Sequence, residues 1–127
     1  MKGIANSFSL QMVGESHYRI EVASLSLESA REWVYNNPMA KSAIGHADTA
    51  KIVSAQLGRE IPANRVNLSL EIGDELLVAQ FCGGRLPEGC TQLPEGCTIE
   101  YKIVRVEFTT PKKFRADLSV PGFMETD

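Results

Sequence analysis

Residues 75–81, Glu-Leu-Leu-Val-Ala-Gln-Phe, follow the turn signal Gly73-Asp74 and are apolar at nearly every position. A strand with one wet face alternates apolar and polar residues. A short run as continuous as this one is the pattern of a strand buried on both faces, in the middle of a sheet. The rest of the chain must therefore flank it with other strands and cover both of its sides. Residues 18–23 alternate, with Tyr18, Ile20 and Val22 on one face, and residues 99–108 alternate again. Residues 3–8 predict a first strand, followed by a loop through Gly14. Val66, Leu68 and Leu70 alternate with polar residues just before Gly73-Asp74, which predicts a hairpin partner for the central strand.

Between these segments lie two helical patterns. Ser26 is suited to cap a helix, Glu28 sits in its first turn, and Leu27, Ala30, Trp33 and Val34 give it an apolar side. Asn36-Asn37-Pro38 stops it. A second helix fits Ala47–Leu57, with Ala50, Ile52, Val53 and Leu57 apolar and Gly58 placed to end it. Strands and helices in this order predict an α/β (α+β) fold, a single domain with a mixed central β-sheet flanked by helices. A chain of 127 residues with 43% hydrophobic content can build that core without metal or disulfide staples. The domain is expected to occupy residues 1–108. Residues 109–127, which hold Pro111 and Pro121 with few apolar positions, form a C-terminal tail to which the pattern assigns no element and no role.

Composition excludes several functions. A net charge of −3 argues against a surface that coats duplex nucleic acid, though a local basic pocket for a small anion remains open. No apolar stretch approaches the roughly 20 residues that span a bilayer, and no secretory signal pattern is present, so no membrane partner is expected. Three cysteines, an odd number, fit a reducing cytoplasm. Cys90 and Cys97 lack the paired spacing or nearby histidine of a zinc site, so neither a metal nor a cofactor is expected.

Chemistry concentrates at a few positions. His46, in Ser-Ala-Ile-Gly-His-Ala-Asp, stands where a loop enters the second helix. Unpaired backbone N–H groups there attract anions, and Gly45 lets a phosphate approach the backbone. A histidine beside a phosphate can protonate a leaving oxygen; otherwise it is a surface or capping residue. His17 reads as a solvent-facing turn residue. Arg65, at the start of the expected third strand, and Arg85, after Gly83-Gly84, could hold phosphates if they share a cleft, and are otherwise exposed charges. Asn6 and Ser9 could bond a phosphate or ribose, or merely satisfy nearby backbone.

One hexapeptide occurs twice. Leu86-Pro87-Glu88-Gly89-Cys90-Thr91 returns as Leu93-Pro94-Glu95-Gly96-Cys97-Thr98. Pro-Glu-Gly forms turns, so two successive turns would account for both copies. Only the first follows Gly-Gly-Arg and the central strand, however. That places Glu88, rather than Glu95, where a functional loop would leave the sheet and could orient a histidine.

Asn-Ser-Phe-Ser-Leu-Gln-Met from Asn6, the Ile-Gly-His motif at His46, Asn-Arg-Val around Arg65 and Gly-Arg-Leu-Pro-Glu-Gly through Glu88 occur in one order. In that order the chain resembles the viral ring nucleases, the type III anti-CRISPR proteins, over about residues 3–108. The resemblance implies a metal-independent homodimer that cleaves cyclic tetra-adenylate, the messenger of type III CRISPR complexes, to linear di-adenylates. It places the catalytic pair on His46 and Glu88, and ligand contacts on Asn6, Ser9, Arg65 and Arg85; the reading of the helix start adds Gly45. Gln11 departs from the asparagine expected in that loop. The alternative is a non-catalytic protein that sequesters or senses a cyclic oligoadenylate in the same pocket.

Overall fold

Leu77 and Ala79 point to one side of the central strand and Leu76 and Val78 to the other, and none is more than 5% exposed. This strand, β4 (Glu75–Cys82), is buried on both faces as its sequence requires. The computed structural model describes residues 1–14, 18–84 and 87–108. Numbered along the chain, the other strands are β1 (Lys2–Ala5), β2 (Tyr18–Leu25), β3 (Lys41–Ser42) and β5 (Thr98–Phe108). The five form one mixed sheet in the order β2-β5-β4-β1-β3. β1 runs parallel to both β3 and β4, whereas β5 is antiparallel to β4 and β2.

Two helices cover one face. Helix α1 (Leu27–Asn36) starts where Ser26 Oγ accepts the Ser29 amide at 3.1 Å, and Asn37 closes it. Helix α2 (Ala47–Leu57) ends at Gly58, which adopts the left-handed conformation. Ala30 and Val34 of α1, with Ala50, Val53 and Leu57 of α2, pack on Ile4, Leu77, Ala79, Tyr101 and Ile103 of the sheet. Non-polar area removed from water here is the main stabilising term of the domain.

The opposite face corrects two sequence expectations. Residues 66–70 do not form a strand and make no hairpin with β4, because both edges of β4 are occupied by β1 and β5. Their alternation serves a different purpose. Leu68 and Leu70 join Phe8, Met12 and Val13 in covering Leu76, Val78, Val104 and Val106. The segment touches its neighbour only through a parallel bridge between Val13 and Leu70, where the Leu70 amide donates to Met12 C=O at 2.6 Å. The first strand likewise ends at Ala5 rather than continuing to residue 8, since the chain leaves the sheet and Phe8 packs into the same cover. Strand β3 was not expected: two residues carry no periodicity. His17, Arg85 and the 109–127 tail lie outside the described residues.

Glu75 opens β4 among cationic groups. Its carboxylate accepts the Trp33 indole N–H at 3.1 Å, lies 3.1 Å from Lys2 Nζ and pairs with Arg105 of β5. Burial pushes its pKa up, but hydrogen bonds from Arg105, Lys2 and Trp33 outweigh that and hold it at about 2, below its ordinary 4.5. A carboxylate depressed in this way stabilises the fold above its unfolded pKa, and the contribution is lost as pH falls from about 4.5 through about 2. A Glu75→Gln protein should therefore unfold at lower urea than the parent at pH 7 and converge with it as pH approaches 2. Equal urea midpoints at pH 7 would remove this role from Glu75.

Candidate functional site

Because β1, β3 and β4 are parallel, their carboxyl ends lie along one edge of the sheet. Three segments leave from that edge: Asn6 after β1, Gly45-His46 after β3, and Gln80 to Gly84 at the end of β4. Ligands of open sheets with parallel strands bind in crevices of this kind. Here the crevice is a cleft of about 900 Å³, lined by Asn6, His46, Asp48, Thr49, Gln80, Phe81, Gly84, Pro87 and Glu88. Three residues singled out in the sequence, Asn6, His46 and Glu88, share it.

His46 is the N-cap of α2, with extended backbone angles of φ −125° and ψ 131°. Its carbonyl accepts the Ala50 amide at 3.0 Å, while its side chain makes no capping hydrogen bond. The imidazole is exposed. The first amides of a helix lack intrahelical partners, and His46 stands directly before those of α2.

Arg65 reaches this neighbourhood by another route than the expected strand. Ser42 Oγ donates to Pro62 C=O at 2.6 Å, the Asn64 amide donates to Ile44 C=O at 2.7 Å, and Asn64 Nδ2 donates to Ser42 C=O at 2.8 Å. These bonds clamp residues 62–64 to β3 and its extension. Arg65 then passes beside Gly45: a methyl group built on Gly45 would lie 3.6 Å from Arg65 Nε. The guanidinium therefore flanks the backbone next to His46, outside the cleft wall itself. Ser9 is not brought to the cleft. It is exposed, and its Oγ accepts the Gln11 amide at 3.2 Å to cap a single 3₁₀ turn, Leu10–Met12.

The two copies of the repeat fold alike and dock differently. Cys90 and Cys97 donate their amides to Pro87 C=O at 3.2 Å and Pro94 C=O at 3.1 Å, with Gly89 and Gly96 at φ 82° and 83°. In the first copy the Gly89 amide donates to Asp48 Oδ2 at 2.8 Å, which fixes the turn against the start of α2. In the second copy Cys97 packs on Gly83, its Sγ 3.5 Å from the Gly83 carbonyl oxygen. Only Glu88 lines the cleft; Glu95 is not among its walls.

Four cleft residues escaped the sequence reading: Asp48, Thr49, Gln80 and Phe81. Gln80 carried a signal, as the one interior polar residue in the apolar run of β4, and Asp48 sits two positions after His46. Thr49 and Phe81 carried none. Among the described residues no group of three His, Cys, Asp or Glu side chains is placed to hold a metal ion, and no helix is long and apolar enough to cross a membrane. Cys82, Cys90 and Cys97 are free thiols.

Comparison with known proteins shows the family and the fold. The chain is 38% identical over 74 residues to uncharacterized protein 26 of Sulfolobus islandicus filamentous virus, covering 58% of this chain and 62% of that protein. It is 35% identical over 72 residues to uncharacterized protein ORF117 of Acidianus two-tailed virus, covering 56% and 61%. The match thus spans less than two thirds of either relative. Among solved structures, B116 of Sulfolobus turreted icosahedral virus superposes with a TM-score of 0.69 at 26% identity, over 82% of this chain and 97% of that one. The STIV B116-like family pattern matches residues 2–108, which include every described residue of the cleft, and the chain belongs to that family of archaeal-virus proteins.

Proposed function

We propose that this protein is a metal-independent ring nuclease that cleaves cyclic tetra-adenylate and so switches off type III CRISPR signalling. The observation that carries the reading is that His46 and Glu88 line one cleft, with an exposed imidazole that makes no capping hydrogen bond at a helix start. RNA holds its own nucleophile, so the site need only align a ribose 2′-hydroxyl with phosphorus and the departing 5′-oxygen. The 2′-hydroxyl gives its proton to solvent water as it bonds to phosphorus, and His46, as imidazolium, protonates the departing 5′-oxygen; Glu88 holds the imidazolium in place. Arg65, Arg85 and the first amides of α2 stabilise charge on the phosphorane, and Asn6 and Gly45 seat the phosphate. Cleavage at two opposite linkages yields linear di-adenylates ending first in 2′,3′-cyclic phosphates.

The ligand fits the acidic surface. A ring with four phosphates needs only a local basic pocket, and two copies of this chain about a two-fold axis would offer four guanidinium groups from Arg65 and Arg85. The test is a single-turnover assay with radiolabelled cyclic tetra-adenylate, excess protein and EDTA. Di-adenylate products at full rate support the reading. Retention of the intact ring with no cleavage would make the protein a messenger sponge, and no binding at all would discard both.

A further inference from the structure

β4 ends at Cys82 and β5 begins at Thr98; the described residues between them form no helix or strand, and this connection carries Glu88. A long irregular loop must be held if a side chain on it is to meet a partner on another element at fixed geometry. The first-copy turn has such a hold. The Gly89 amide, next in sequence to Glu88, donates to Asp48 Oδ2 at 2.8 Å, across 41 residues. Asp48 stands in the first turn of α2, two residues after His46. A carboxylate in a cleft that takes a phosphate ester opposes its ligand, so Asp48 is poorly suited to contact it directly. Its acceptor is used on the loop instead.

We infer that Asp48 is a positioning residue: it latches the turn bearing Glu88 onto the helix start bearing His46, so that the two sides of the cleft are set as one unit. The inference rests on the ring nuclease reading for its effect on rate, but the latch itself can be read without turnover. Asp48→Ala removes the acceptor, and Asp48→Asn keeps an amide oxygen of the same size at the same place.

Two measurements test it in the full chain: hydrogen exchange of the Gly89 amide, and single-turnover cleavage of cyclic tetra-adenylate beside its dissociation constant. In Asp48→Ala, Gly89 should exchange at the rate of an unprotected amide and cleavage should slow about tenfold, the effect of losing one charge-assisted hydrogen bond. Ring affinity should be unchanged or tighter, which separates a positioning role from a binding one. Asp48→Asn should recover Gly89 protection and most of the rate. Wild-type cleavage by Asp48→Ala, unchanged Gly89 exchange, or an Asp48→Asn protein as slow as Asp48→Ala would each overturn the latch. Should the wild type not cleave the ring, the ring nuclease reading fails separately, and Gly89 exchange alone decides whether Asp48 holds the loop.

Discussion

Replacing His46 with alanine is expected to slow cleavage of cyclic tetra-adenylate by about 10²–10⁴-fold, the range for removing a positioned general acid. The fold should not notice. The His46 side chain is exposed and caps nothing, and the carbonyl that accepts the Ala50 amide survives the change. A thermal midpoint within about 3 °C of the parent is therefore expected, as for surface substitutions away from structural contacts. The chemical role can be separated from a binding role by the leaving group. A ring whose 5′-oxygen is replaced by sulfur leaves as a thiolate and needs no proton, so His46→Ala should cut it nearly as fast as the wild type. Glu88→Gln should lose less, about tenfold, because it acts through His46. An alanine variant that binds the natural ring and cuts it at the unchanged rate would end the assignment of His46.

What the sequence made legible follows the range of the forces involved. Local signals were reliable: Ser26 caps α1, Gly58 ends α2, and His46 lies at the start of α2, because each depends on a few adjacent residues. The central strand was legible because burial on both faces leaves a composition that little else produces. Partnership was not. Val66, Leu68 and Leu70 alternate as a strand does, yet alternation reports one buried face and says nothing of which edge is free to pair. Here the edges of β4 go to β1, which ends at Ala5, far earlier in the chain, and to β5. The cleft divides in the same way. His46 and Glu88 were found from their own motifs, and the structure brings them to one cleft. Asp48 was missed because its meaning lies in a bond to Gly89 that only the fold creates. Ser9 lies outside the cleft walls, and its hydroxyl accepts the Gln11 amide, a local bond that its sequence motif did not reveal.

The duplicated hexapeptide leads to the second large effect, which falls on stability. Gly83 sits at φ 118°, where a side chain is strained, and a methyl group there would stand 2.9 Å from both the Cα and the Sγ of Cys97. Much of that obstacle is backbone, so it cannot swing aside as a flexible side chain would. Nor can the turn retreat freely, because the next residue, Thr98, begins β5 in register with Cys82. Gly83→Ala should therefore cost about 3 kcal/mol in urea unfolding, as conformational strain and close contact add. Gly84 supplies the control. It has φ 104° but no atom of the described residues within 4 Å of an added methyl group, so Gly84→Ala should lose only the strain, about 1–2 kcal/mol. The difference between the two variants measures how tightly the second copy packs on the end of β4. Cys97 of the second copy thus packs on the end of β4, while Pro87 and Glu88 of the first copy line the cleft. Equal losses at Gly83 and Gly84 would mean that the second copy supports nothing, and that the repeat is two independent turns.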